Sequence, residues 1–147
     1  MAKINFWKVL LCGFIFAVIA EIIYSVGSFL TMGYYTDPNY LAVWSKIMMP
    51  NAGPPPALFF VYSFIFSIIG GVLIALVYAM VESALKQKSV WQKGAMYGLL
   101  ISLVGVIPGN MVLPLMVNVP WGMATSWAAE GLIINLIAGA CIARIMK

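Results

Sequence analysis

The sequence predicts an all-α, polytopic membrane protein: one four-transmembrane-helix bundle over residues 1–147, with the N- and C-termini cytoplasmic. Three observations predict it. First, 64% of the residues are hydrophobic and 8% charged, with a mean hydropathy of +1.04; a soluble domain carries about 25% charged residues. Second, four apolar stretches, at about 6–33, 57–81, 95–117 and 123–143, each reach the roughly 20 residues that cross a hydrocarbon core. Third, the basic residues are one-sided. Lys3 and Lys8 precede the first stretch, Lys86, Lys88 and Lys93 separate the second from the third, and Arg144 and Lys147 follow the fourth; only Lys46 falls opposite. That bias sets both termini in the cytoplasm and the chain, multi-pass, in the cell (inner) membrane.

Composition also excludes. The chain has no histidine, two cysteines and one aspartate. Imidazole catalysis, four-thiolate metal sites and an aspartate-pair protease centre are therefore out. Neither enzyme activity nor a cofactor or metal is expected. The net charge of +4 comes from lysines that orientation already requires, so the bilayer, not nucleic acid, is the expected partner. Cys12 and Cys141 fall toward the cytoplasmic side, where disulfides are rare.

The first stretch has the look of a signal peptide, with Lys3 and Lys8 ahead of it and Val18-Ile19-Ala20 as a cleavage-like site. The apolar run continues to Leu30, so a retained helix is expected. In the outer loop, 34–56, Asp37-Pro38 offers a cap acceptor and a proline at the first helical position. A short helix follows, with Leu41, Trp44, Ile47 and Met48 on one side and Tyr34, Tyr35 and Tyr40 nearby. It is expected to lie in the membrane interface as an aromatic anchor; a substrate lid is the alternative. Pro50 ends it, and Pro54-Pro55-Pro56 stiffens the approach to the second span. Glu82 precedes Lys86 by one turn and is expected to pair with it.

Lipid gives helices no hydrophobic reason to associate, so small residues must let them pack closely. Each span carries such residues every three or four positions: Gly13, Ala17, Ser25 and Ser28; Ser63, Ser67, Gly71, Ala75 and Ala79; Gly94, Gly98, Ser102, Gly105 and Gly109; Ala128, Gly131, Asn135, Ala138 and Gly139. The expected bundle is tight, with a narrow slot inside or none.

Against that background the intramembrane polar residues stand out. A charge at mid-bilayer costs about 2.5–3.5 kcal/mol on insertion scales. The leucine, isoleucine, valine and phenylalanine residues between Val9 and Leu30 return roughly twice that, so the first helix inserts even with Glu21 in it. Glu21 shares the small-residue face with Ser25, and Tyr24 lies on the following turn. Glu130 lies at nearly the same depth in the fourth span but far round from its small face, beside Ser126, Ile134 and Ile137. Either an oligomer partner covers it, or the bundle buries two faces of that helix. Pro108 strips the Val104 carbonyl of its usual partner and invites a break, and Asn110 follows. Broken helices near the midplane often hold ions or substrates. The candidate substrate- or ion-binding residues are thus Glu21, Glu130, Asn110, Tyr24 and Ser25. Their oxygens suit a proton, a hard cation or a protonated amine. A neutral, protonated glutamate that merely links helices is the structural alternative.

Ala20-Glu21-Ile22-Ile23 resembles the helix-1 segment of the small multidrug resistance transporters. Those are four-helix proteins in which that glutamate exchanges protons for cationic drugs. The match spans four residues, and this chain adds a long outer loop and a second intramembrane glutamate, so only the mechanism carries over, to Glu21. The expected function is binding or transport of a small cation, proton or cationic solute by a homo-oligomer. The alternative is a non-catalytic accessory subunit packed against a larger membrane complex.

Overall fold

The computed structural model describes residues 5–51 and 54–147. It is 81% helical and has no strand among the described residues, and four of its helical stretches are long and apolar enough to cross a membrane. The principal helices are α1 (Phe6–Leu30), α3 (Ala57–Val81), α4 (Val90–Ile101), α5 (Ile107–Met116) and α6 (Trp121–Met146), with a single turn, α2 (Met32–Thr36), after α1. Helix α4, a π-helical segment (Ser102–Val106) and α5 together make the third long stretch.

Local chemistry explains the helix ends. The Asn5 side chain caps α1, its Oδ1 accepting from the backbone N–H groups of Trp7 and Lys8. At the other end the Thr31 hydroxyl and N–H both donate to the Gly27 carbonyl, at 2.9 and 3.0 Å. Helix α1 nevertheless stops at Leu30 rather than running to residue 33, because the Thr31 backbone leaves helical geometry at φ −107° and ψ 13°. Its course through Ala20 is unbroken.

Helix α6 occupies the centre, with α1 on one side and α4 and α5 on the other, while α3 packs mainly on α1. Glycines set these contacts. Gly13 of α1 and Gly71 of α3 meet backbone to backbone. Gly94 lies on the carbonyl of Gly139, and Gly98 lies on that of Asn135. Near the chain termini all four spans converge on Cys12, Tyr78, Tyr97 and Ile142, which are buried. There the Tyr97 hydroxyl donates to the Ile74 carbonyl at 2.6 Å, joining α4 to α3.

Three expectations change. The third span breaks as a π segment before Pro108, in which the Ile107 N–H reaches back five residues to the Ser102 carbonyl. A π turn takes one residue more than an α turn, so the packing face moves on by one position. Val106 rather than Gly105 then meets Gly131, and Gly105 and Gly109 face open space. The loop helix expected after Asp37-Pro38 is absent: Asp37 Oδ1 instead accepts from the Asn39 N–H at 2.9 Å, and only a 3₁₀ turn forms, at Leu41–Val43. The aspartate caps a turn, and two turns later Trp44 folds back, stacking on Tyr35 and meeting Trp127 edge-on. Glu82 pairs with Lys93, at 3.8 Å, and not with Lys86. The 3₁₀ turn at Glu82–Ala84 ends the helical spacing that would have placed Lys86 one turn on. Beside the close helix contacts, a partly open gap remains between the outer parts of α1 and α3, bordered by the loop.

Candidate functional site

The gap is a cavity of about 760 Å³. Glu21, Tyr24, Ser25 and Ser28 border it from α1, and Phe59, Phe60 and Ser63 from the first turns of α3. The loop contributes Met48, Met49, Pro54 and Pro55, and α6 contributes Trp127. The Tyr35–Trp44–Trp127 column of rings packs across the loop end. Most of the wall is aromatic or methionine side chain, and the polar groups lie along α1, at Thr36 of α2 and at Ser63. This is the pattern of a small-molecule site, apolar walls with a few placed polar groups.

Glu21 is the acid of the cavity. Its Oε1 accepts a hydrogen bond from the Ser63 hydroxyl at 2.7 Å, the one hydrogen bond to its carboxylate among the described residues. A carboxylate has acceptor sites for about four donors, so most of its capacity is free to face the cavity. A second, shallower hollow of about 380 Å³ lies farther round α3 and is bordered by Glu21, Phe60, Val61, Phe64 and Ile65. Phe64 packs edge-on against Phe14, which lies seven residues before Glu21 on the same face of α1.

Glu130 sits elsewhere. It is 8% exposed and accepts from the Ser126 hydroxyl of its own helix at 2.5 Å. Its carboxyl group bears directly on Gly27 of α1, where a side chain would overlap it. The bundle therefore buries two faces of α6, one on α1 and one on α4. Gly27 is six residues beyond Glu21, about 9 Å along the axis and roughly 120° round it. The two acids thus occupy different faces of α1 and share no hydrogen-bond partner. Tyr24 stands between them on α1, three residues from both Glu21 and Gly27, and borders the cavity.

Of the residues nominated from sequence, the fold brings Glu21, Tyr24 and Ser25 to one cavity. Glu130 lies behind it. Asn110 lies in α5, outside the cavity lining, its amide donating to the Val106 carbonyl one turn back in the same span at 2.9 Å. Asn135, read as a packing residue, donates to the buried Ser102 hydroxyl at 3.1 Å and ties α6 to the start of the π segment. Sequence reasoning missed Ser63 as the partner of Glu21, although Ser63 heads the small-residue row of its span and lies at the matching end. It placed Met48 on the apolar side of a loop helix, with a substrate lid as the alternative reading, and did not single out Met49. No known protein family, curated protein or solved structure matches the chain.

Proposed function

We propose that the protein binds or transports a small cation, proton or cationic solute in the cell membrane, with Glu21 as the charged group. One observation carries this: a half-buried carboxylate with a single hydroxyl partner among the described residues faces a partly open cavity of about 760 Å³ between two apolar helices and the loop that joins them. An unpaired charge there is costly, and a bound cation or a proton offsets the cost. The two compete for the same oxygens, which couples release of one to uptake of the other. Tyr24 and Ser25 supply hydroxyls to the ligand, whereas Glu130, packed on Gly27 outside the cavity lining, does not touch it. Asn110, whose amide donates within its own span, lies outside the cavity lining and takes no part.

Glu21→Gln tests the proposal, since it keeps the shape and removes the charge. In proteoliposomes carrying a proton gradient, uptake of labelled butyltrimethylammonium is expected to fall to the level of protein-free vesicles. Binding is expected to weaken tenfold to a hundredfold, the worth of one charge-assisted contact. Unchanged uptake in the variant would end the proposal.

A second reading, an accessory subunit in a larger assembly, is favoured by the open face at Gly105 and Gly109, with Val104 81% exposed beside it. Gly109→Leu would then release a stoichiometric partner that co-purifies with the native chain in mild detergent. A chain that purifies alone, with no partner to lose, counts against it.

A further inference from the structure

We infer that the loop end of the cavity is a second site, separate from Glu21, for a soft monovalent metal ion: Cu(I) or Ag(I), held by the thioether sulfurs of Met32, Met48 and Met49. All three side chains border the one cavity, and they reach it from two directions. Met32 opens α2, just past the end of α1, whereas Met48 and Met49 come from the later part of the loop. The two loop methionines are pinned by a turn. Their N–H groups both donate to the Ser45 carbonyl, at 3.0 and 2.9 Å, and the Ser45 hydroxyl accepts a further bond from Met48 N–H at 3.2 Å. Pro50 follows at once, and its ring restrains the backbone beyond. Two adjacent sulfurs are thus carried on a fixed stretch of chain at the cavity wall.

The donors decide the metal. The chain has no histidine, and no cysteine borders the cavity among the described residues, so the usual nitrogen and thiolate ligands of zinc are missing. From α2 and the loop the bordering side-chain oxygens are the hydroxyls of Tyr35 and Thr36, and that of Thr36 is turned onto the Met32 and Gly33 carbonyls. Glu21 lies nine residues before the end of α1, roughly 13 Å deeper along its axis. A hard cation, which takes six or more oxygens, finds no shell at this end. Thioethers are soft and neutral, and soft ligands select Cu(I); Ag(I) shares its charge and softness without its redox chemistry. Methionine also serves simply to fill irregular gaps. Leucine fills them nearly as well, so a leucine substitution separates packing from ligation.

Silver nitrate titrated into the full chain in lipid nanodiscs, with free Ag(I) read by a silver-selective electrode, tests this. Loss of an outer-shell partner already costs a metal site about 10–100-fold, so Met32→Leu, Met48→Leu and Met49→Leu are each expected to weaken binding about tenfold or more. Met80→Leu, at an exposed position on α3, and Glu21→Gln are expected to leave it unchanged. X-ray absorption at the copper edge of the native chain loaded with Cu(I) is expected to show sulfur as the nearest neighbour. Silver binding that survives all three loop-end variants but is lost in Cys12→Ala or Cys141→Ala assigns the ion to thiols and overturns the site. No binding, or a copper shell of oxygen or nitrogen, overturns it as well. A loss in Glu21→Gln as large as in the methionine variants moves the ion to the carboxylate, which overturns a separate site and leaves the proposed cation function standing. Conversely, loss of Glu21-dependent ammonium uptake as a reading does not touch the methionines, because the two sites share no ligand.

Discussion

Gly98→Ala is expected to destabilise the protein by about 2–3 kcal/mol, while Gly105→Ala, in the same span, is expected to be neutral or stabilising by up to about 1 kcal/mol. At Gly98 an added methyl would overlap the carbonyl of Asn135. That obstacle is backbone in the middle of α6, which no rotamer change can move, so α4 and α6 must separate. The separation also stretches the hydrogen bond from Asn135 to Ser102 and loosens Gly94 from Gly139 one turn away. At Gly105 a methyl meets nothing within 4 Å, and alanine has the better helix propensity. Reversible unfolding in mixed micelles, followed by circular dichroism, measures both. Equal effects at the two positions would contradict the π segment, since an uninterrupted α-helix would turn Gly105 toward α6 along with Gly98.

Gly27→Ala is the second large effect, expected to cost about 1–2 kcal/mol. The new methyl would overlap the carboxyl group of Glu130 and push it off Ser126. Here the obstacle is the end of a side chain, so the cost depends on that chain being present. Glu130→Ala costs stability by itself, because it empties a buried position, but it makes room for the methyl. The double variant is then expected to be more stable than the sum of the two single losses, with a coupling of about 1–2 kcal/mol. The same unfolding assay reads it. A coupling near zero would show that Glu130 does not bear on Gly27, and with it the packing of α6 against α1 at this depth would be wrong.

Much of this protein was legible without coordinates, and the failures share a cause. Ala57–Val81 matches the second apolar stretch end to end, because length and hydropathy alone decide where a helix can cross hydrocarbon. Gly13, Gly71, Gly94, Gly98 and Gly139 lie in helix contacts, as close packing in lipid requires. Gly105 and Gly109 do not, because a single inserted residue in the π segment turned their face away, and spacing cannot register an insertion. The break at Pro108 was visible as missing hydrogen-bond capacity, but its answer, the longer reach from Ile107 to Ser102, was not. Asp37-Pro38 had the chemistry of a helix start and of a turn alike, and the packing of Trp44 on Tyr35 and Trp127 chose the turn.

The candidate site divides in the same way. That Glu21 would face protein followed from its cost in lipid and from the small residues sharing its face, both local properties of one helix. That it meets Ser63, that Glu130 lies on another face of α1, and that Asn110 is spent on its own backbone depended on how separate helices stand against one another. Composition and periodicity report what each helix must hide. Which neighbour hides it is set by contacts between residues tens of positions apart, which only the assembled bundle specifies.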